Sequence, residues 1–159
     1  MRRGVWAAIA AIATVSCAPS EQRSRTPLPA YDHLGSWTVV GHRLPGASAM
    51  TDDEAKTWHG RVVRFSSGEA VSGEDRCPYP TYQETEVSAD SFLMAEFHVR
   101  ATALGLEHAH LRLGKVICYE STWTAMGGIV LWDRSDHGYA VWDGVFFELR
   151  PSGPGNTRA

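Results

Sequence analysis

The chain has 159 residues, 43% of them hydrophobic, and a formal charge of −3. That is enough for one ordinary domain built around a single core. A mildly acidic chain without basic clusters argues against nucleic acid as a partner and against electrostatic docking on a membrane surface.

The chain opens Met1-Arg2-Arg3, continues with an apolar run from Gly4 to Val15 and breaks at Ser16-Cys17. Positive charge, a short apolar stretch and a small residue before the break form the pattern of an export signal. The run falls short of the ~20 apolar residues that a membrane-spanning helix needs. Thr14-Val15-Ser16-Cys17 resembles the bacterial lipobox. That resemblance implies that residues 1–16 are a lipoprotein signal peptide, cut before Cys17, and that the Cys17 thiol and amine carry lipid (palmitate among the acyl chains). Each buried methylene is worth ~0.8 kcal/mol, so two or three chains hold a protein on a membrane nearly permanently. Losing Arg2 and Arg3 with the signal takes the charge from −3 to −5. Ala18 rather than aspartate follows Cys17, which points to the outer membrane, with the domain facing the periplasm. Residues 17–30 are polar and contain proline, with no periodic apolar pattern, and read as the lipidated cysteine and a flexible tether.

The domain is expected over residues 31–150. Residues 37–44 (WTVVGHRL) are β-rich and half alternating, opened by Gly35 and stopped by Pro45-Gly46. In residues 50–60, Thr51 with Glu54 three positions on forms a capping box. Asp52 and Asp53 favour the positive end of the helix dipole, and Gly60 suits a left-handed stop. This predicts a helix of about two turns with Ala55 and Trp58 inward. Strands follow at 61–65 and 69–72 around Ser66-Ser67-Gly68. Residues 73–80 read as a loop carrying Cys77, and 81–88 (TYQETEVS) as an alternating strand. Residues 90–96 suit either a helical turn capped by Asp90 or more strand; 101–106 read as loop. Strands are expected at 108–119, 128–132, 139–142 and 145–150, and residues 151–159 (PSGPGNTRA) as a disordered tail. Seven or eight short strands at regular spacing predict an all-β domain, a small antiparallel barrel with one or two short helices.

With Cys17 lipidated, Cys77 and Cys118 remain, and an exported protein most often pairs two such cysteines. A metal pair or free thiols are the alternatives, without ligand-like spacing. Beyond the signal stand five tryptophans, Trp37, Trp58, Trp123, Trp132 and Trp142, each either core filler or the wall of a ligand site. Trp123 and Trp132 are candidates for a ligand cavity. On the last strand Val145 and Phe147 face one side and Phe146 and Glu148 the other. One phenylalanine is therefore core, and Phe146 needs cover from a helix, a partner or a ligand. His108 and His110 have the i, i+2 spacing that puts two imidazoles on one strand face, within reach of one metal ion. The other reading is two solvent-facing histidines at a strand start, favoured because no further ligand is evident. No nucleophile elbow, His-Glu-x-x-His or phosphate loop is present, so neither catalysis nor a cofactor is expected.

Gly35-Ser36-Trp37 on the first strand, followed by a meander ending in Arg150, resembles the lipocalin and calycin barrels. The resemblance implies that Gly35 and Trp37 are structural, with Arg150 covering the tryptophan, and that the barrel binds a small apolar ligand. A second resemblance, to exported protease-inhibitor barrels of the Inh type, rests on Cys118, Trp123 and the apolar strand Ile129-Val130-Leu131. It implies a protein-interaction module such as a periplasmic protease inhibitor or an envelope scaffold partner. A barrel of about eight strands either fills with side chains or holds one small ligand. A non-catalytic envelope lipoprotein of the binding kind is the leading expectation, and the interaction module its alternative.

Overall fold

The computed structural model describes residues 33–153. The segments expected to be a signal peptide and a tether, with Cys17, and residues 154–159 lie outside the described residues. Ten strands form one antiparallel sheet: β1 (Gly35–Arg43), β2 (Val62–Phe65), β3 (Glu69–Ser72), β4 (Asp75–Pro78), β5 (Thr81–Ser88), β6 (His110–Cys118), β7 (Ser121–Thr122), β8 (Ile129–Arg134), β9 (His137–Trp142) and β10 (Val145–Pro151). Helix α1 (Asp52–Lys56) follows β1, and α2 (Ala89–Phe97) with a 3₁₀ turn (Ala101–Leu104) follows β5. The strand order is β4-β3-β2-β1-β10-β9-β8-β6-β5, with β7 paired to β6.

The sheet curls so that its ends share one interior. Trp37 and Val39 of β1, Val63 and Phe65 of β2, Ala70 of β3, Val116 of β6, Val130 and Trp132 of β8, and Phe147 and Leu149 of β10 belong to one core. Across that interior Phe65 meets the Trp132 ring edge-on at 6.4 Å. The edge strands β4 and β5 are joined in sequence by Tyr79-Pro80 alone. The Cys77–Cys118 disulfide spans from β4 to β6, with Cα atoms 5.7 Å apart. The Tyr82 hydroxyl adds a hydrogen bond to the Ser66 carbonyl at 2.8 Å. The all-β barrel-like fold and the pairing of Cys77 with Cys118 thus follow the sequence expectation.

The outer face of β6, β8, β9 and β10 has a second core. Leu111, Leu113, Leu131, Tyr139 and Phe146 pack there under Ala89, Leu93, Leu104 and Leu106. This explains why Val130, Leu131 and Trp132 are buried in succession: one side faces the interior, the other the helical cover. Phe146 finds the cover it needs in α2, where Phe97 meets it edge-on at 5.2 Å. The ambiguous 90–96 segment is therefore helical. Its Asp90 carboxylate accepts the Ala101 backbone N–H at 2.8 Å and ties α2 to the turn after it.

Three expectations change. Residues 73–80 are not all loop, since β4 pairs with β3 from Asp75 to Pro78. Proline is tolerated there because β4 is an edge strand with an unused N–H side. Pro151 is not tail: it lies opposite Trp37, and Ser152 N–H donates to the Ser36 carbonyl at 2.8 Å. Arg150 does not cover Trp37. It shares the outer face with Glu148 and Phe146, and contacts Glu148 and Asp136 at 3.3 and 3.7 Å. The place expected for it is taken by His33 and Trp132, which pack against the Trp37 ring.

Helix α1 has the capping box read from sequence: Thr51 Oγ1 accepts from Glu54 N–H at 3.3 Å and the Glu54 carboxylate accepts from Thr51 N–H at 2.8 Å. Ala55 is buried. Trp58 packs edge-on against Trp142 and beside Phe147, so α1 and the turn after it stop one end of the barrel.

Candidate functional site

The opposite end of the barrel is open as a shallow cleft, and register alone assembles most of it. In the pairing of β5 with β6, Glu84 lies opposite Gly114, Glu86 opposite Arg112 and Ser88 opposite His110. In the pairing of β6 with β8, Arg112 lies opposite Trp132. Glu86, Arg112 and Trp132 therefore form one row across three strands, with their side chains on the inner face. The turn from β8 to β9 adds Asp133, Arg134 and Ser135, and His33 enters from the chain before β1. The cleft measures about 220 Å³ and is lined by these residues with His110 and Leu111.

Its floor is aromatic and its walls are charged. The His33 and Trp132 rings stack with centroids 4.1 Å apart and planes 2° from parallel. Trp37 leans on the same indole at 4.5 Å and donates its own Nε1–H to the His33 carbonyl at 2.8 Å. His33 Nδ1 donates to Glu84 Oε1 at 2.8 Å, and the other oxygen of that carboxylate lies 3.9 Å from the Arg112 guanidinium. His33 is only 2% exposed. A buried polar ring held by stacking, a carboxylate and a backbone contact is a rigid plug. It closes the barrel beneath the cleft.

Asp133 belongs to a second network on the turn. His137 Nδ1 hydrogen-bonds Asp133, and His137 Nε2 lies 3.2 Å from Glu148 Oε1. Burial pushes the Asp133 carboxyl up, but the His137 hydrogen bond and the charges of His137 and Arg134 outweigh it and hold the group below its ordinary value. The glycine at 138 is required by the plug. It lies opposite Trp132, and a Cβ there would run into the Trp132 ring.

The residues singled out from sequence are dispersed. His110 and Trp132 meet in the cleft. Phe146 lies in a different groove of about 240 Å³, with Gly46, Ala47, Phe97, Val99 and Gly144 around it. Trp123 is buried and belongs to the interior core. Gly35 opens β1 with φ of 138°, a backbone geometry that favours glycine, and Trp37 is buried. His108 precedes β6, outside the cleft lining, and among the described residues no three metal-ligating side chains converge on one point. His33, Glu84, Glu86, Arg112 and Asp133 were missed. Alternation in 81–88 was the available signal, since it puts Glu84 and Glu86 on one face, but only register reveals that this face lines the mouth.

The far end of β5 and β6 carries another feature absent from the sequence reading. Tyr79 and Tyr119 are 86% and 82% exposed and both have positive φ, 48° and 50°. They flank the disulfide, two positions beyond the last β5–β6 pair, Thr81 with Ile117. Compared with family models, curated proteins and solved structures, the chain matches none.

Proposed function

We propose that this is a non-catalytic envelope lipoprotein, anchored through Cys17 and facing the periplasm, that works as a protein-interaction module. The observation that carries the reading is the filled interior. Trp37, Phe65, Trp132 and Phe147 are each 4% exposed or less and belong to one core where a lipocalin would hold its ligand. At the open end of the barrel the mouth cleft remains accessible, and its roughly 220 Å³ lies below the ~300 Å³ at which small-molecule pockets usually begin. A cleft of that size suits a projecting side chain of a partner protein. Charged walls over a rigid aromatic floor supply orientation with little ordering cost.

The test is photo-crosslinking in intact cells from the full chain with its own leader. A crosslinking residue at Ser135, on the cleft rim, is expected to give a discrete adduct of protein size. One at Tyr119, at the disulfide end, is expected to give none. Adducts from Tyr119 alone, or none from Ser135, would overturn the assignment of the mouth.

A second reading keeps the small apolar ligand but moves it outside the barrel. The groove that Phe146 lines with Phe97 and Val99 favours it. Such a ligand would be retained through gentle purification and released on denaturation.

A further inference from the structure

At the end of the barrel stopped by α1, two histidines from separate elements point their ring nitrogens at each other. His42 lies on β1 just past the irregularity between Val39 and Gly41, opposite Phe147 of the interior core. That register turns its side chain inward, and it is only 7% exposed. His59 stands in the turn after α1 and is exposed. His42 Nδ1 and His59 Nε2 are 2.8 Å apart. The second nitrogen of His42, Nε2, lies 2.9 Å from Asp52 Oδ1. The other oxygen of Asp52 is held by Lys56 at 2.6 Å.

The tautomer of His42 follows from its partners. An ionised carboxylate only accepts, so His42 Nε2 carries the proton and donates it to Asp52. His42 Nδ1 is thus a lone pair aimed at His59. A ring nitrogen offered as a lone pair while its partner nitrogen donates to a carboxylate is the arrangement that metal-ligating histidines adopt.

We infer that His42 Nδ1 and His59 Nε2 form a two-nitrogen site for a borderline divalent transition metal such as zinc, with Asp52 as the carboxylate that orients His42. Zinc–nitrogen bonds run about 2.0–2.1 Å, so the nitrogens would part to about 3.3 Å around a tetrahedral ion. His59, exposed and on a turn, supplies that movement by giving up its proton at Nε2 for the other tautomer. Among the described residues no third side chain completes the set, so water fills the remaining positions. The site is separate from His108 and His110 and does not depend on the mouth cleft.

The test is zinc titration of the full chain, purified in detergent without a histidine tag and followed by calorimetry. One equivalent is expected to bind, and His59→Ala to abolish it. His59 is exposed, so that variant should keep the wild-type thermal transition. Asp52→Asn should weaken binding about 10- to 100-fold, and His108→Ala with His110→Ala should leave it unchanged. With copper in place of zinc, the paramagnetic resonance spectrum should report two imidazole nitrogens. No uptake by the wild-type chain, or uptake that survives His59→Ala, would overturn the site.

Discussion

Replacing Cys77 and Cys118 together by alanine removes the disulfide that ties β4 to β6 across the seam of the sheet. The two cysteines are 41 residues apart in sequence. Releasing a loop of that length returns about 13 cal/mol/K of entropy to the unfolded chain, or about 4 kcal/mol at room temperature. Total stabilities run from about 5 to 15 kcal/mol, so this is a large share. For a domain of this size the melting temperature should drop by about 15 °C. Urea unfolding is the better assay, because the unfolded variant is less compact and the slope of the transition should rise as the midpoint falls. Both cysteines are buried, so the missing sulfur contacts add to the loss. A change under about 1 kcal/mol would refute the reasoning. It would mean that contacts across the seam such as Tyr82 on Ser66 hold it without the disulfide.

Four further outcomes are expected. Phe146→Ala opens the contact between β10 and α2 and should cost about 3–5 kcal/mol in urea unfolding. Gly138→Ala forces a methyl group toward the Trp132 ring and should cost about 1–3 kcal/mol, with a change in near-ultraviolet dichroism as the stack with His33 shifts. Asp133 has a lowered pKa, so its contribution is complete above the ordinary carboxylate value and is lost as pH falls through the folded value. Urea midpoints between pH 2 and 6 should therefore fall less steeply in Asp133→Asn than in the wild type, and parallel curves would contradict this. Burial raises the Tyr82 hydroxyl to about 12, although its hydrogen bond to the Ser66 carbonyl pulls the other way. Its stabilisation is thus intact below pH ~10 and is lost as pH rises toward 12, so an absorbance titration should show Tyr82 ionising last and Tyr82→Phe should flatten the alkaline loss of stability.

What the sequence makes legible are features set by neighbours along the chain. The Thr51–Glu54 capping box, the alternation of Thr81 to Ser88 and the opposed phenylalanines of β10 all appear where expected. Helix α2 is harder to read because it lies on an outer face and buries only Ala89 and Leu93 fully, leaving no clean apolar stripe. Strand β4 is obscured by Pro78 and by having Cys77 as its one buried residue. The mouth cleft and the His42–His59 pair depend on register and on the irregularity in β1. A shift of one residue would turn Glu84, Arg112 or His42 to the other side of the sheet, and no local pattern encodes that choice. Arg150 illustrates the same point. Its place near the end of the last strand suits the role of covering Trp37, but parity puts it on the outside with Glu148.

The filled interior is tested most directly by native mass spectrometry of the full chain, purified gently from the cells that make it. The expected spectrum holds the mass of the chain with its covalent modifications, and no small molecule that disappears on denaturation. A discrete organic mass, bound one to one and lost on unfolding, would contradict a partner-binding module and return the protein to the ligand carriers.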